Sequence, residues 1–247
     1  MHALKSETKW WAPKIADAFD RSQELWIEAT DADPATMQPL VDELGIDQTH
    51  RLSSELAPAD LARLEAAAKS AGFQGEAALD HMRPWLAALT LETLPVVKAG
   101  YDPAWGVDIL LKDRAAVTGK RVHGLETGEQ QLHFFADLPQ AAQVELLRSV
   151  LDDVGLAPAM IDSAIQGWSE GDVEAFRKGT NEFDEQNHPD LYAVLLVNRN
   201  KAWAERIAAW MRSGRGEIFV AVGAGHFVGR DSLLKALEAR GISVARQ

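Results

Sequence analysis

The sequence contains no cysteine. That excludes a disulfide scaffold, a thiolate zinc site and a cysteine nucleophile. No run approaches the ~18 consecutive apolar residues of a membrane span, so no transmembrane segment is expected. The opening stretch MHALKSETKWW lacks the apolar h-region of a secretory leader. The bacterial periplasm or cell envelope is therefore the expected location only if a longer precursor carries such a signal, and the cytoplasm otherwise. Positive charge is scarce: 25 Lys and Arg stand against 37 Asp and Glu, a formal net charge of -12. Such a surface repels phosphate backbones and anionic lipid, and no nucleic-acid partner is expected. HExxH, GxSxG, the Walker A loop and a GxGxxG behind a strand are all missing. Their absence argues against the commonest zinc-protease, serine-hydrolase and nucleotide-binding solutions.

What is present is an ordinary globular composition, 47% hydrophobic and 25% charged over 247 residues, enough to bury a sizeable core. Short apolar runs at 24–29 (ELWIEA), 120–126 (KRVHGLE), 216–225 (GEIFVAVGAG) and 242–246 (ISVAR) read as strands. Between them, stretches such as 13–21, 57–72, 83–100 and 102–119 carry helix starts at Pro or Asp and stops at Gly. From about 139 to 212 the three- and four-residue apolar spacing is almost continuous. The expected fold class is α/β: a small mixed sheet built from strands at both chain ends and the middle, covered by helices. A single domain over 1–247 is expected, with a large helical insertion at about 139–212 as a subdomain.

Four polar residues sit where predicted strands end or the chain starts: Glu28, Glu126, His226 and His2. Ligand sites of open α/β sheets gather outside the carboxyl ends of strands. Two imidazoles with one or two carboxylates suit a divalent ion, and a three-ligand site with an open position activates water at neutral pH. Each residue alone has a plainer reading. His226 reads as a loop or core residue, Glu28 as a solvated strand end, and Glu126 as an acid at a helix N-terminus. Gly223 and Gly225 sharpen His226, because glycine permits close backbone approach or positive φ. Arg199, in the helical NRN at 198–200, could bind a carboxylate or support a ligand, and Trp10-Trp11 could wall a pocket near His2. The acidic NEFDEQNHPD at 181–190 reads as a solvated loop with a possible cation site.

The stretch FVAVGAGHFVGRDSLLKALEARGISVAR resembles the C-terminal signature of the TraB/PrgY/GumN family, which includes the TIKI proteases that cleave Wnt proteins. AFDRSQELWIEA, GVDILLKDRAAVTGKRVHGLET, EQQLHFFADLP and LLVNRNKAWAERI agree with the same family in order and spacing. The resemblance implies an α/β core with a helical insertion, related to the erythromycin-esterase-like and ChaN-like groups. It also implies a metal-dependent protease that uses two Gly-x-x-His histidines and a glutamate. The second motif is Gly223-Ala224-Gly225-His226. The first usually reads Gly-Thr-x-His behind a strand, whereas this chain begins Met1-His2-Ala3. The expectation is that the glycine, threonine and preceding strand are missing. An edge or groove would then lie open, with His2 on a frayed terminus and the edge available to a second copy in a homo-oligomer.

Carried over, the implied metal ligands are His2, Glu28 and His226, holding Mn, Co or Zn. Glu28, Glu126 and Arg199 are the implied catalytic residues, and Asn200, Trp11 and Gln130 the implied substrate-binding residues. The implied partner is a peptide or protein substrate. The alternative on the same scaffold is a non-catalytic envelope protein that captures a peptide or pheromone.

Overall fold

A computed structural model describes residues 1–49, 51–153, 156–179 and 188–246. In chain order they form α1 (Pro13–Arg21), β1 (Glu24–Ala29), α2 (Pro34–Gly45), α3 (Pro58–Ala71), α4 (Pro84–Lys98) and α5 (Val107–Thr118). Then come β2 (Arg121–Glu126), α6 (Gly128–Ala136), α7 (Gln140–Asp153), α8 (Ala157–Glu170), α9 (Val173–Gly179) and α10 (Pro189–Tyr192). A π-turn at Ala193–Val197 leads into α11 (Asn198–Arg212), followed by β3 (Ile218–Ala221) and α12 (Leu233–Glu238). Helices outweigh strands, and the fold is α/β as expected. Most of the acidic stretch 181–190 lies outside the described residues.

The chain divides into two compact units. Residues 1–31, 101–127 and 163–247 form the first, and 32–100 with 128–162 form the second. The division runs across the stretch 139–212, leaving 139–162 in the second unit.

The first unit holds the sheet, in the order β2-β1-β3. Both pairings are parallel, with Glu24 opposite Arg121 and Ile218 and Ile27 opposite Gly124 and Ala221. The described sheet is thus wholly parallel, not mixed. β1 is the central strand and is buried on both faces, which is why ELWI runs apolar without alternation. Trp26 points to one face, with Leu125, Trp203, Ile207, Trp210, Leu233 and Leu237 beneath α11 and α12. Leu25 and Ile27 point to the other, with Phe19 of α1 and Leu111 and Ala115 of α5. Each fully buried Leu, Ile or Phe contributes about 1.5–3 kcal/mol of transfer free energy. This double burial fixes the register and so fixes which residues emerge at the strand ends.

Two expected strands differ in the structure. β3 covers only 218–221 of the expected 216–225. Gly216, at φ +107° and hard against the Gln23 side chain, belongs to the incoming turn, and Ala224–Phe227 wind into a 3-10 turn. The stretch 242–246 forms no strand. After α12 the chain reverses at Gly241 (φ +78°), where the Ile242 N–H donates to the Leu237 carbonyl. Ile242 and Val244 then pack on the α11/α12 core, so their apolar spacing is used in packing rather than in a ladder.

In the second unit, α4 and α7 pack together. α4 buries Trp85, Ala87, Ala88 and Leu91, and Trp85 stacks on Phe135 of α6. Pro95 is accommodated within the last turns of α4.

Candidate functional site

Because the three strands are parallel, their carboxyl ends share one edge. Glu28 is the penultimate residue of β1, Glu126 ends β2, and the chain beyond β3 supplies Gly223 and His226. A guanidinium joins them. Arg199 donates from Nε to both Glu126 oxygens, at 3.0 and 3.2 Å, and from Nη2 to Glu126 Oε2 at 2.9 Å and Glu28 Oε2 at 2.7 Å. Its Nη1 donates to the Leu195 carbonyl at 3.2 Å and lies 3.3 Å from His226 Nε2. The cation also sits 4.7 Å from the centre of the Trp203 ring. Only 12% of the Arg199 side chain is exposed, so these are desolvated, charge-assisted bonds. The π-turn precedes this cluster, with the Asn198 N–H donating to the Ala193 carbonyl. Such turns reset the helical register locally and recur at functional sites.

Glu28 Oε1 accepts a 2.6 Å hydrogen bond from the Gly223 N–H and lies 3.6 Å from His2 Nε2. His226 is buried against Trp203, with ring centres 4.4 Å apart. Its Nδ1 lies 2.8 Å from Asn200 Oδ1. His2 is held on its other side by Asp108, whose Oδ1 lies 3.5 Å from Nδ1.

The opening residues are pinned, in contrast to the frayed terminus expected. Leu4 pairs antiparallel with Asp102 and is buried, and the Val107 N–H donates to the Met1 carbonyl. Gly106 permits this approach, because a Cβ there would fall 2.4 Å from the His2 carbonyl oxygen. The His2 side chain itself remains 59% exposed.

Gly223 defines the space at the centre. Its φ is -51°, which any residue adopts; what the glycine supplies is room. A Cβ on it would stand 3.2 Å from Glu28 Oε1, 3.4 Å from His2 Nε2 and 3.6 Å from His226 Cδ2. Both histidines and the glutamate thus border one cradle that a single methyl group would enter.

The electrostatics are strongly polarised. The Asp108 carboxylate first and the Glu28 carboxylate second push the His2 pKa up to about 9, although solvent on its open side screens part of this. Burial opposes ionisation of Glu28, but His2 and Arg199 outweigh it and hold its carboxyl well below the usual range. Burial drives His226 down to about 4, with Arg199 and His2 acting in the same direction. One imidazole is therefore charged and the other neutral at pH 7, both beside an ionised carboxylate. Such a separation is how a site assigns acid and base roles.

Of the residues singled out in the sequence, His2, Glu28, Glu126, Arg199, Asn200 and His226 meet here. Trp11 packs edge-on against Phe19 with the Arg114 guanidinium over its ring. Gln130 lies on α6 in the second unit. Asp108 and Trp203 are site residues that sequence reasoning passed over. Asp108 looks like a first-turn acid of α5, and Trp203 like one more apolar position of α11. Two imidazoles with a carboxylate are a donor set that divalent ions use, and all three side chains border the Gly223 cradle. Among the described residues no three His, Asp or Glu side chains stand ready-arranged as a metal-binding group. No helix of the described residues is long and apolar enough to cross a membrane.

A model of the TraB/PrgY/gumN family matches residues 1–246 of the chain. An uncharacterized protein, YbaP of Escherichia coli K12, is 28% identical over 155 residues, which are 62% of this chain and 55% of YbaP. YbaP of Shigella flexneri matches to the same extent. The chain thus spans about half the length of the curated relatives it matches. No solved structure matches it.

Proposed function

The chain belongs to the TraB/PrgY/gumN family, and from that premise we propose that it is a metal-dependent hydrolase acting on peptide bonds. The observation that carries this reading is the cradle at Gly223, bordered by His2 Nε2, Glu28 Oε1 and the His226 ring. His2, Glu28 and His226 would hold the ion. A bound Mn, Co or Zn ion supplies Lewis-acid polarisation and a water of lowered pKa. The charge pattern supports a cation there. Glu28, Glu126 and Asp108 face one guanidinium and one imidazolium, which leaves one negative charge uncompensated, and exchanging the His2 proton for a divalent ion cancels it.

The chain's own groups then divide the work. Gly223 N–H and Arg199 Nη2 each occupy one oxygen of Glu28 and so hold its carboxylate plane. Glu126 takes three N–H bonds from Arg199 and orients it; with its lone pairs so engaged, it serves as an anchor for the cation. Asp108 steadies the exposed His2 ring from the Nδ1 side, the outer-shell contact that histidine ligands require.

The test is a titration of chelator-treated protein with cobalt, manganese and zinc, followed by peptide cleavage assays with and without each metal. The expected result is one ion per chain, with binding lost in both Glu28→Ala and His226→Ala. A folded protein that binds none of the three and cleaves no peptide in their presence overturns the reading. The full engagement of Glu126 favours a second reading, peptide capture without cleavage. Peptide binding that survives Glu28→Ala and His226→Ala would support it.

A further inference from the structure

We propose that Asn200 is a positioning residue that fixes the proton of His226 on Nδ1 and so leaves the ring's lone pair on Nε2.

The argument follows donors and acceptors. Asn200 is wholly buried on α11. Its Nδ2 donates to the backbone carbonyl of Asp231 at 2.8 Å. A carbonyl oxygen only accepts, so the amide NH2 must face Asp231 and Oδ1 must face His226. Oδ1 also only accepts, so the ring atom 2.8 Å from it, Nδ1, must carry the hydrogen. A neutral imidazole protonated at Nδ1 has its lone pair on Nε2. The other side of the ring gives the same answer: Nε2 lies 3.3 Å from Arg199 Nη1, and a guanidinium only donates. An acceptor-only neighbour and a donor-only neighbour therefore write one tautomer between them. It is the minority tautomer of a histidine free in water, so the protein is imposing it.

The Asp231 carbonyl is itself held in place. The Asp231 side chain accepts from the Tyr192 hydroxyl at 3.0 Å and from Arg230 Nε at 3.2 Å. The next residue, Ser232, caps α12 through a hydrogen bond from the Lys235 N–H. A chain of fixed polar contacts thus runs from Tyr192 through Asp231 and Asn200 to His226. Its value for metal capture rests on the reading above; the tautomer does not.

The experiment is long-range proton–nitrogen correlation NMR on the whole chain, labelled at histidine nitrogen and freed of metal, at pH 7. The His226 signal is identified by its loss in His226→Ala. The expected pattern is that of the Nδ1–H form. In Asn200→Leu, which removes the acceptor, Nδ1–H should lose its dominance, and cobalt affinity should fall about 10–100-fold, as for other outer-shell partners. Asn200→Asp retains an acceptor and should keep Nδ1 protonated. An Nε2–H pattern in the wild-type protein, or an unchanged Nδ1–H pattern in Asn200→Leu, overturns the inference. Wild-type protein that shows Nδ1–H but binds no cobalt leaves this inference standing and removes the metal reading instead.

Discussion

β1 carries a buried carboxylate at each end, and each has an arginine and histidine for company. At the amino end, Glu24 accepts from Trp26 Nε1 at 3.2 Å and from Arg121, with His123 Nε2 at 3.2 Å. At the carboxyl end, Glu28 meets Arg199, His2, the Gly223 N–H and, through Arg199, His226. The residue types are nearly the same, but the construction differs. The partners of Glu24 come from β1 itself and from neighbouring positions of β2, where Arg121 stands directly opposite it. Arg121 is 77% exposed and His123 44%, so their charge is shared with water. The partners of Glu28 converge from three separate segments around a space left by a missing side chain. A carboxylate with a histidine and an arginine is therefore no site by itself; convergence and vacant room distinguish the two ends.

The sharpest way to break this comparison is to delete the arginine at each end. Arg199→Met leaves Glu28 and Glu126 buried without their shared cation and should cost about 3–5 kcal/mol. Arg121→Met removes a largely solvated charge and should cost about 0–1 kcal/mol. Chemical denaturation measures both, and equal losses would erase the distinction. Filling the cradle comes next. The Cβ of Gly223→Ala meets its neighbours at 3.2–3.6 Å, so they yield by a few tenths of an ångström. Stability should change by less than about 2 kcal/mol, as for modest overpacking, while cobalt affinity drops about tenfold or more. Calorimetric titration beside thermal melts separates the two effects, and undiminished affinity would show that the space is not the ion's.

The smallest effect is a difference in pH dependence in metal-free protein. His2, raised from 6.5 to about 9, contributes stability that is complete below pH 6.5 and lost as pH rises through about 9. His226, lowered from 6.5 to about 4, contributes stability present above pH 6.5 and lost as pH falls through about 4. Together they predict a stability maximum near pH 6.5, and His2→Ala should flatten the alkaline limb. At the other end, burial opposes ionisation of Glu24, but Trp26, His123 and Arg121 lower its pKa below 4.5, so its contribution declines only in more acidic solution. Melting temperatures across pH 4–9 test all three, and an alkaline limb unchanged in His2→Ala would contradict the assignment.

Much of the carboxyl-end cluster was legible in the sequence for a physical reason. A strand buried on both faces reads as an unbroken apolar run, and the first polar residue after it marks the sheet edge. Glu28, Glu126 and the glycines before His226 stand out in this way; His2 and Arg199 were candidates by residue type and position, and family resemblance supplied Asn200. The rest depends on packing that local pattern does not encode. Asp108 is one acid among several at helix starts, and its role exists only because Gly106 admits the backbone of residue 2. The Asp231 carbonyl is main chain, which no side-chain motif announces. The apolar alternation of 242–246 was real but went to the α11/α12 core once Gly241 turned the chain. The parallel order β2-β1-β3 required knowing where the crossovers land.

The guanidinium of Arg199 ties together residues 171 and 73 positions away along the chain. Contacts of such long sequence separation carry large loop-closure entropy and form late in folding. Neither β1 with its flanking helices nor α11 alone can assemble the cradle. A ligand held there as proposed would accordingly be out of reach of nascent and partly unfolded chains, and its capture would mark a molecule whose sheet is complete.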